Sequence, residues 1–376
     1  MKIDDKTSHN SPSLRFPEFT GEWKEFSLGE IGDSFIGLTY KPTDTVPSGG
    51  IIVFRSSNIQ DGCIDYKDIV RVNKKVRENL ITKNGDLLIC ARNGSSRLIG
   101  KNALLHRTDA NQTFGAFMMV FRSDKNHFVH HLLNTKRYTS QVAENLGARI
   151  NQITSSDLSS FRFFFPKDDK EMTRIASLFD LLDGRIAVQN RLIDRLQSLM
   201  IGIAQKIAHS NKPNVRISDC LECSSSALQE SEVNKTGKYP VYGANGIVGY
   251  IDKYHTQNEA IYIIKDGSGV GGVSYVTGKC SSTGTLNILQ AKNGHSLKYL
   301  YYLLKVFNFV PYKTGMAIPH IYFKDYGKAK IFCPAYPEQL EYAKLLSSID
   351  GNLRIALDSL KNFNLQKQYL LRHMLI

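Results

Sequence analysis

The chain has 376 residues, enough for two globular units, and carries 48 Lys plus Arg against 35 Asp plus Glu, a formal net charge of +13. Apolar residues make up 42%, as in a packed protein rather than a disordered one, and no run of about 18 apolar residues offers a membrane span. The polar opening MKIDDKTSHNSPS lacks the apolar core of a secretory signal, and 6 scattered cysteines do not make a disulfide scaffold, so reduced thiols in a cytoplasm are expected.

Residues 1–165 read as a mixed α+β body, with strands predicted at 51–55, 86–91 and 117–121 and a helix over 128–146. Its loops are rich in groups that contact DNA: Arg grips guanine bidentately, Asn grips adenine, and Ser or backbone amides hold phosphates. The candidates there are Arg55, Ser57, Asn58, Arg92, Asn93, Ser95 and Arg97. Residues 166–209 then form one long helix. From Met172 the stripe runs Ile175, Phe179, Leu182, Ile186, Gln189, Ile193, Leu196, Met200, Ile203 and Ile207, in steps of 3 and 4 with one polar interruption. That is the seam of a coiled coil. Asp168 with Glu171 is predicted to form a capping box at its start, and Asn211 and Pro213 stop it.

Residues 210–333 read as a second mixed body, with strands at 260–264 and 272–276 and a helix over 296–306. Its candidate DNA contacts are Tyr242, Asn245, Tyr250, Lys253, Lys265, Ser268 and Lys313. The run Gly267-Ser-Gly269-Val-Gly-Gly272 fits a dinucleotide fingerprint by letter. It is followed by a strand-like segment instead of a helix, so it reads as a loop joining two strands. Cys220 and Cys223 have metal-ligand spacing but no second pair, and Cys280 and Cys333 stand alone, so no metal is expected. Residues 334–376 form a second long helix. Its stripe is Tyr342, Leu346, Ile349, Leu353, Ala356, Leu360, Phe363, Lys367, Leu370 and Met374, with Pro337 at the first helical position. The coiled-coil interface candidates are Phe179, Leu182, Ile186, Ile193 and Leu196 on the first helix and Leu346, Ile349, Leu353, Leu360 and Phe363 on the second; the alternative is that each stripe packs on its own globular half.

The four segments carry net charges of +5, +1, +6 and +1, so the excess sits on two separate bodies, which suits a polyanion held at two places. The chain also repeats. Gly147-Ala-Arg-Ile150-Asn-Gln-Ile153, Asp157 and Pro166 match Gly315-Met-Ala-Ile318-Pro-His-Ile321, Asp325 and Pro334 at a constant offset of 168. Upstream, Arg92-Asn-Gly94-Ser95 matches Lys265-Asp-Gly267-Ser268. No phosphate-binding loop, nucleophile elbow or Asn-Pro-Pro-aromatic tetrapeptide occurs, and no catalytic residue is assigned.

Several stretches resemble the specificity (S) subunit of type I restriction–modification systems: Leu14-Arg-Phe-Pro-Glu-Phe19 with Trp23, Ser57-Asn-Ile-Gln-Asp-Gly62, Asn84-Gly-Asp-Leu-Leu-Ile89 and Tyr239-Pro-Val-Tyr-Gly-Ala-Asn-Gly-Ile-Val-Gly-Tyr250. The resemblance implies two target recognition domains, separated and joined by two long antiparallel coiled-coil helices with pseudo-twofold symmetry. Each domain would read half of a split site on double-stranded DNA, and the helices would set the gap and dock two methyltransferase subunits. S-adenosylmethionine would sit on those subunits, and ATP and magnesium on motor-nuclease subunits. None of these cofactors is expected on this chain, which would be non-catalytic. Two other readings are a stand-alone DNA-modifying enzyme with a divergent active site and a coiled-coil scaffold that binds nucleic acid.

Overall fold

The computed structural model describes residues 10–146, 151–315 and 317–376. Gly147, Ala148, Arg149, Ile150 and Met316 of the repeated motif lie outside the described residues. The chain divides into two compact units, one running to Val188 and including Lys361–Ile376, the other Gln189–Leu360. Both divisions fall inside long helices, Asp169–Ala208 and Tyr336–Met374. The second helix starts at Tyr336, so Pro337 takes its second position.

Each body opens and closes on one two-stranded antiparallel ladder. In the first, Lys24–Ser27 pairs with Arg162–Phe165; in the second, Val215–Arg216 pairs with Lys330–Ile331. The closing strand leads directly into a long helix. Between these strands the two bodies build one antiparallel sheet order. The first has Asp33–Ile36, Met118–Arg122, Leu87–Cys90 and Asn102–Leu104 side by side; the second has Leu221–Ser225, Leu286–Ala291, Glu259–Ile264 and Val273–Thr277. Each also carries one short parallel pair, Ile51–Phe54 with Thr113–Phe114 and Tyr239–Gly243 with Ser281–Ser282. The fold class is thus α+β, one mixed body built twice.

The predicted helix over 128–146 is broken into Asn126–Leu132 and Lys136–Leu146. Asn134 Nδ2 donates to the His130 carbonyl at 2.8 Å and Thr135 Oγ1 to the Leu132 carbonyl at 2.7 Å. Short polar side chains here take over the carbonyls that a continuing helix would bond.

Within the first unit, Phe179 and Leu182 share a core with Trp23, Phe128, Phe163, Leu371 and Met374. Within the second, Ile193, Met200 and Ile207 share a core with Tyr299, Leu346, Ile349 and Leu353. Ile186, Leu196, Leu360 and Phe363 are half-buried. The polar breaks in the stripes are explained by partners: Gln189 Nε2 donates to the Ala356 carbonyl at 2.9 Å, and Lys367 pairs with Asp183. Each of these pairs, 183 with 367 and 189 with 356, joins the two long helices within one unit.

The capping box at Asp168 and Glu171 is not formed. Asp168 Oδ1 accepts from the Lys170 amide at 2.8 Å, but the Glu171 carboxylate is 1% exposed and gripped by both Arg15 nitrogens at 2.6 Å. A bidentate charged pair outcompetes one backbone bond. The opening segment around Arg15 is therefore a strap. Arg174 lies over Phe16 at 4.7 Å and pairs with Glu18, and the Leu14 amide donates to the His373 carbonyl at 2.9 Å. Among the described residues no helix is long and apolar enough to cross a membrane.

Candidate nucleic-acid interface

In the first body three loops are tied into one surface. The Arg92 amide donates to the Phe117 carbonyl at 2.9 Å, and the Ile153 amide donates to the Ala91 carbonyl at 2.9 Å. Asn93 Nδ2 donates to Ser56 Oγ at 3.0 Å, its Oδ1 accepts from the Ser95 amide at 3.0 Å, and Asn151 Nδ2 donates to the Gly94 carbonyl at 3.1 Å. Ser57, Arg92, Ser95 and Arg97 stand exposed on this frame. The Arg92 guanidinium lies 5.2 Å above the ring of Phe117, itself 58% exposed.

Two candidates are corrected here. Asn58 is fully buried: its Oδ1 accepts from the Arg55 amide at 2.9 Å and its Nδ2 donates to the Asp65 and Asp68 carbonyls. Arg55 is held 2.7 Å from the Asp68 carboxylate. Asn58 shapes the loop because its polar groups are consumed within it; Arg55 braces it through Asp68, although its buried Nε has no partner among the described residues. Asn93, spent on Ser56 and Ser95, is likewise a loop brace.

The second body repeats the frame with a slip. The Lys265 amide donates to the Thr285 carbonyl at 3.0 Å, and the Ile321 amide donates to the Lys265 carbonyl at 2.9 Å. Ile321 corresponds to Ile153, so Lys265 takes the place of Ala91, and Asp266, bridged to His320, takes that of Arg92, bridged to Gln152. The sequence match of Arg92 with Lys265 is off by one residue. In an extended segment one residue turns the side chain to the other face. Lys265 is accordingly half-buried, 3.9 Å from Asp266, while Ser268 and Lys313 are exposed. The glycine run joins Glu259–Ile264 to its antiparallel neighbour Val273–Thr277, with Gly267 and Gly271 at φ of 95° and 91°. It is a strand-joining loop, as the sequence indicates.

Of the remaining candidates, Tyr242 and Asn245 lie near the frame, since the Thr283 amide donates to the Tyr242 carbonyl at 2.9 Å, while Tyr250 and Lys253 lie at the other end of their hairpin. Asn245 is at the exposed tip of the hairpin formed by Tyr239–Gly243 and Gly246–Ile251, and the half-buried Tyr242 meets the Tyr262 ring edge-on at 5.8 Å. Tyr250 pairs with Pro240 at the open end of the hairpin, about 13 Å from the tip at 3.3 Å per residue, and Lys253 lies beyond it. The sequence reading missed Phe117, Asn151, Gln152, His320 and Tyr322, which border the two frames. The signal was present, since four of them fall in or beside the Gly…Ile…Pro repeat, but that repeat was used only for architecture.

Two groups of metal-ligating side chains occur among the described residues. His130, His131 and Asp183 are already engaged: His131 Nε2 is 2.9 Å from Asp180 and Asp183 pairs with Lys367. The second group corrects the cysteine reading. Cys220 does not pair with Cys223; it lies with His295 and Cys333, which the sequence left isolated.

A family model described as the type I restriction modification DNA specificity domain matches residues 20–198 and 210–362, most of the chain in two copies. A putative type I restriction enzyme specificity subunit of Haemophilus influenzae is 25% identical over 123 residues, 32% of this chain and 32% of that protein. The StySPI specificity subunit of Salmonella potsdam is 23% identical over 193 residues, 49% of this chain and 41% of its own length. The matched stretches therefore span between a third and two fifths of these relatives. A crystal structure of the S subunit of a type I restriction–modification system from M. genitalium superposes with a TM-score of 0.70 at 18% identity, covering 97% of this chain and 99% of that one.

Proposed function

We propose that this chain, which belongs to the family of type I restriction–modification DNA specificity domains, reads a bipartite site on double-stranded DNA, one half with each body. The observation that carries the reading is the duplicated frame. One sheet order recurs in both bodies, each with an exposed, polar loop set after equivalent strands and each leading directly into a long helix. Bodies 1–165 and 210–333 are the recognition domains in this reading, and 166–209 and 334–376 are the spacer. Arg92, Ser95, Arg97 and Ser57 face the first half-site. Ser268, Lys313 and Asn245, with Lys265 in support, face the second.

The long helices set the gap and dock the methyltransferase subunits. Supporting this, the first helix keeps a second apolar row at Leu181, Val188, Leu192 and Leu199, between 44% and 69% exposed and spaced by 7, 4 and 7 residues on one face. Methylation with S-adenosylmethionine and ATP- and magnesium-dependent cleavage belong to the partner subunits. Exchanging residues 210–333 for the matching segment of a relative, with methylated motifs read by sequencing, tests the proposal. One half-site should change and the other stay; a change in both refutes independent reading.

A further inference from the structure

We propose that Cys220, His295 and Cys333 are three ligands of one tetrahedral zinc ion, with water in the fourth position, and that the metal staples the second body at the root of the second long helix. The three ligand atoms lie within 4.8 Å of one another. Zinc bonds of about 2.3 Å to sulfur and 2.0–2.1 Å to nitrogen place two sulfurs about 3.8 Å apart in a tetrahedron, so only a small contraction is needed. Two thiolates and an imidazole select zinc over magnesium or calcium. Cys220 is fully buried and Cys333 is 8% exposed, while half-buried His295 leaves a side open to water.

The surrounding bonds hold the ligands in place. Asn214 clamps Cys333, accepting from its amide at 2.8 Å and donating to its carbonyl at 2.7 Å. The Cys220 carbonyl accepts from the Lys292 amide at 2.9 Å. Buried Gln339, on the second long helix, accepts from the Ser296 amide at 2.9 Å and donates to the Pro334 carbonyl at 2.8 Å, joining the residues that follow His295 and Cys333. His295 Nδ1 lies 3.2 Å from the Asn293 carbonyl, an outer bond that leaves Nε2 to ligate. Thiol and imidazole ligands must be deprotonated to bind a metal, so binding would strengthen as pH rises.

The test uses the full chain, stripped with a chelator and titrated with cobalt(II), then zinc. One equivalent of cobalt should bind with a thiolate charge-transfer band that zinc abolishes, and zinc should raise the unfolding temperature. Cys333→Ser should lose the band and Cys223→Ser should keep it. His295→Ala, at a half-exposed position, should weaken binding by more than the roughly 10- to 100-fold typical of losing an outer partner. No band in the unmodified chain, a band surviving in Cys333→Ser, or one lost in Cys223→Ser overturns the proposal. So does a Cys220–Cys333 disulfide in the chain purified under reductant.

Discussion

Replacing Arg92 with alanine separates base reading from mere charge. The side chain is exposed, stacks only on Phe117, and joins no ion pair among the described residues. Its loop is held by backbone bonds to Phe117 and Gln152, which alanine retains. Stability should therefore move by less than about 0.5 kcal/mol. A bidentate grip on guanine contributes about 1–3 kcal/mol, so affinity for the intact site should fall about 5- to 140-fold, and one position of one half-site should relax. Lys265→Ala should behave differently. Its ammonium already faces Asp266 at 3.9 Å, so its loss should lower the salt slope by less than the about 0.9 per freed phosphate contact. The assay is DNA binding by the assembled methylase across a salt series, with methylated motifs read by sequencing. An Arg92→Ala enzyme with unchanged affinity and motif refutes the loop as an interface. A uniform loss on all sequences, with the slope reduced by about 0.9, refutes base reading.

Other outcomes follow from packing and charge. Arg15→Ala strands a carboxylate that is 1% exposed, and should cost about 3–5 kcal/mol in urea unfolding; under 1 kcal/mol would mean the strap holds nothing. Four residues inserted at exposed Gln205 lengthen the first helix by about 6 Å and turn it by roughly 40°, so the recognised gap should grow by one or two base pairs; an unchanged gap sinks the spacer role. Burial, with His131 beside it, holds His130 at about 3 against an ordinary 6.5. The unfolded chain takes up a proton that the folded chain refuses. This contribution to stability is thus complete above about pH 6.5 and lost as pH falls toward 3. His130→Gln should flatten the stability loss over that window, and parallel pH profiles for the two proteins would contradict it.

The sequence was most legible where a period or an offset repeats. The 3–4 stripes mark both helices, and even their breaks made sense once Gln189 met Ala356 and Lys367 met Asp183. Letter matching failed where chemistry is decided by one residue of register. Arg92 and Lys265 share a Gly-Ser context, yet the ladder seats Lys265 with Ala91. Local rules also failed against distant partners. Asp168 and Glu171 have capping-box spacing, but Arg15 takes the glutamate, and Asn58 is spent inside its own loop. Cys220 and Cys333 meet only because the body's first and last strands pair, which no spacing rule contains.

The strap has a topological consequence. Ser13 Oγ sits 2.9 Å from His373 Nδ1, although 360 residues separate them. The strap and the end of the second long helix therefore meet within the first unit. A short peptide joining the strap to the second helix, with the backbone opened at exposed Asn211 and Lys212 after the first helix, would preserve every ladder and seam in rotated order.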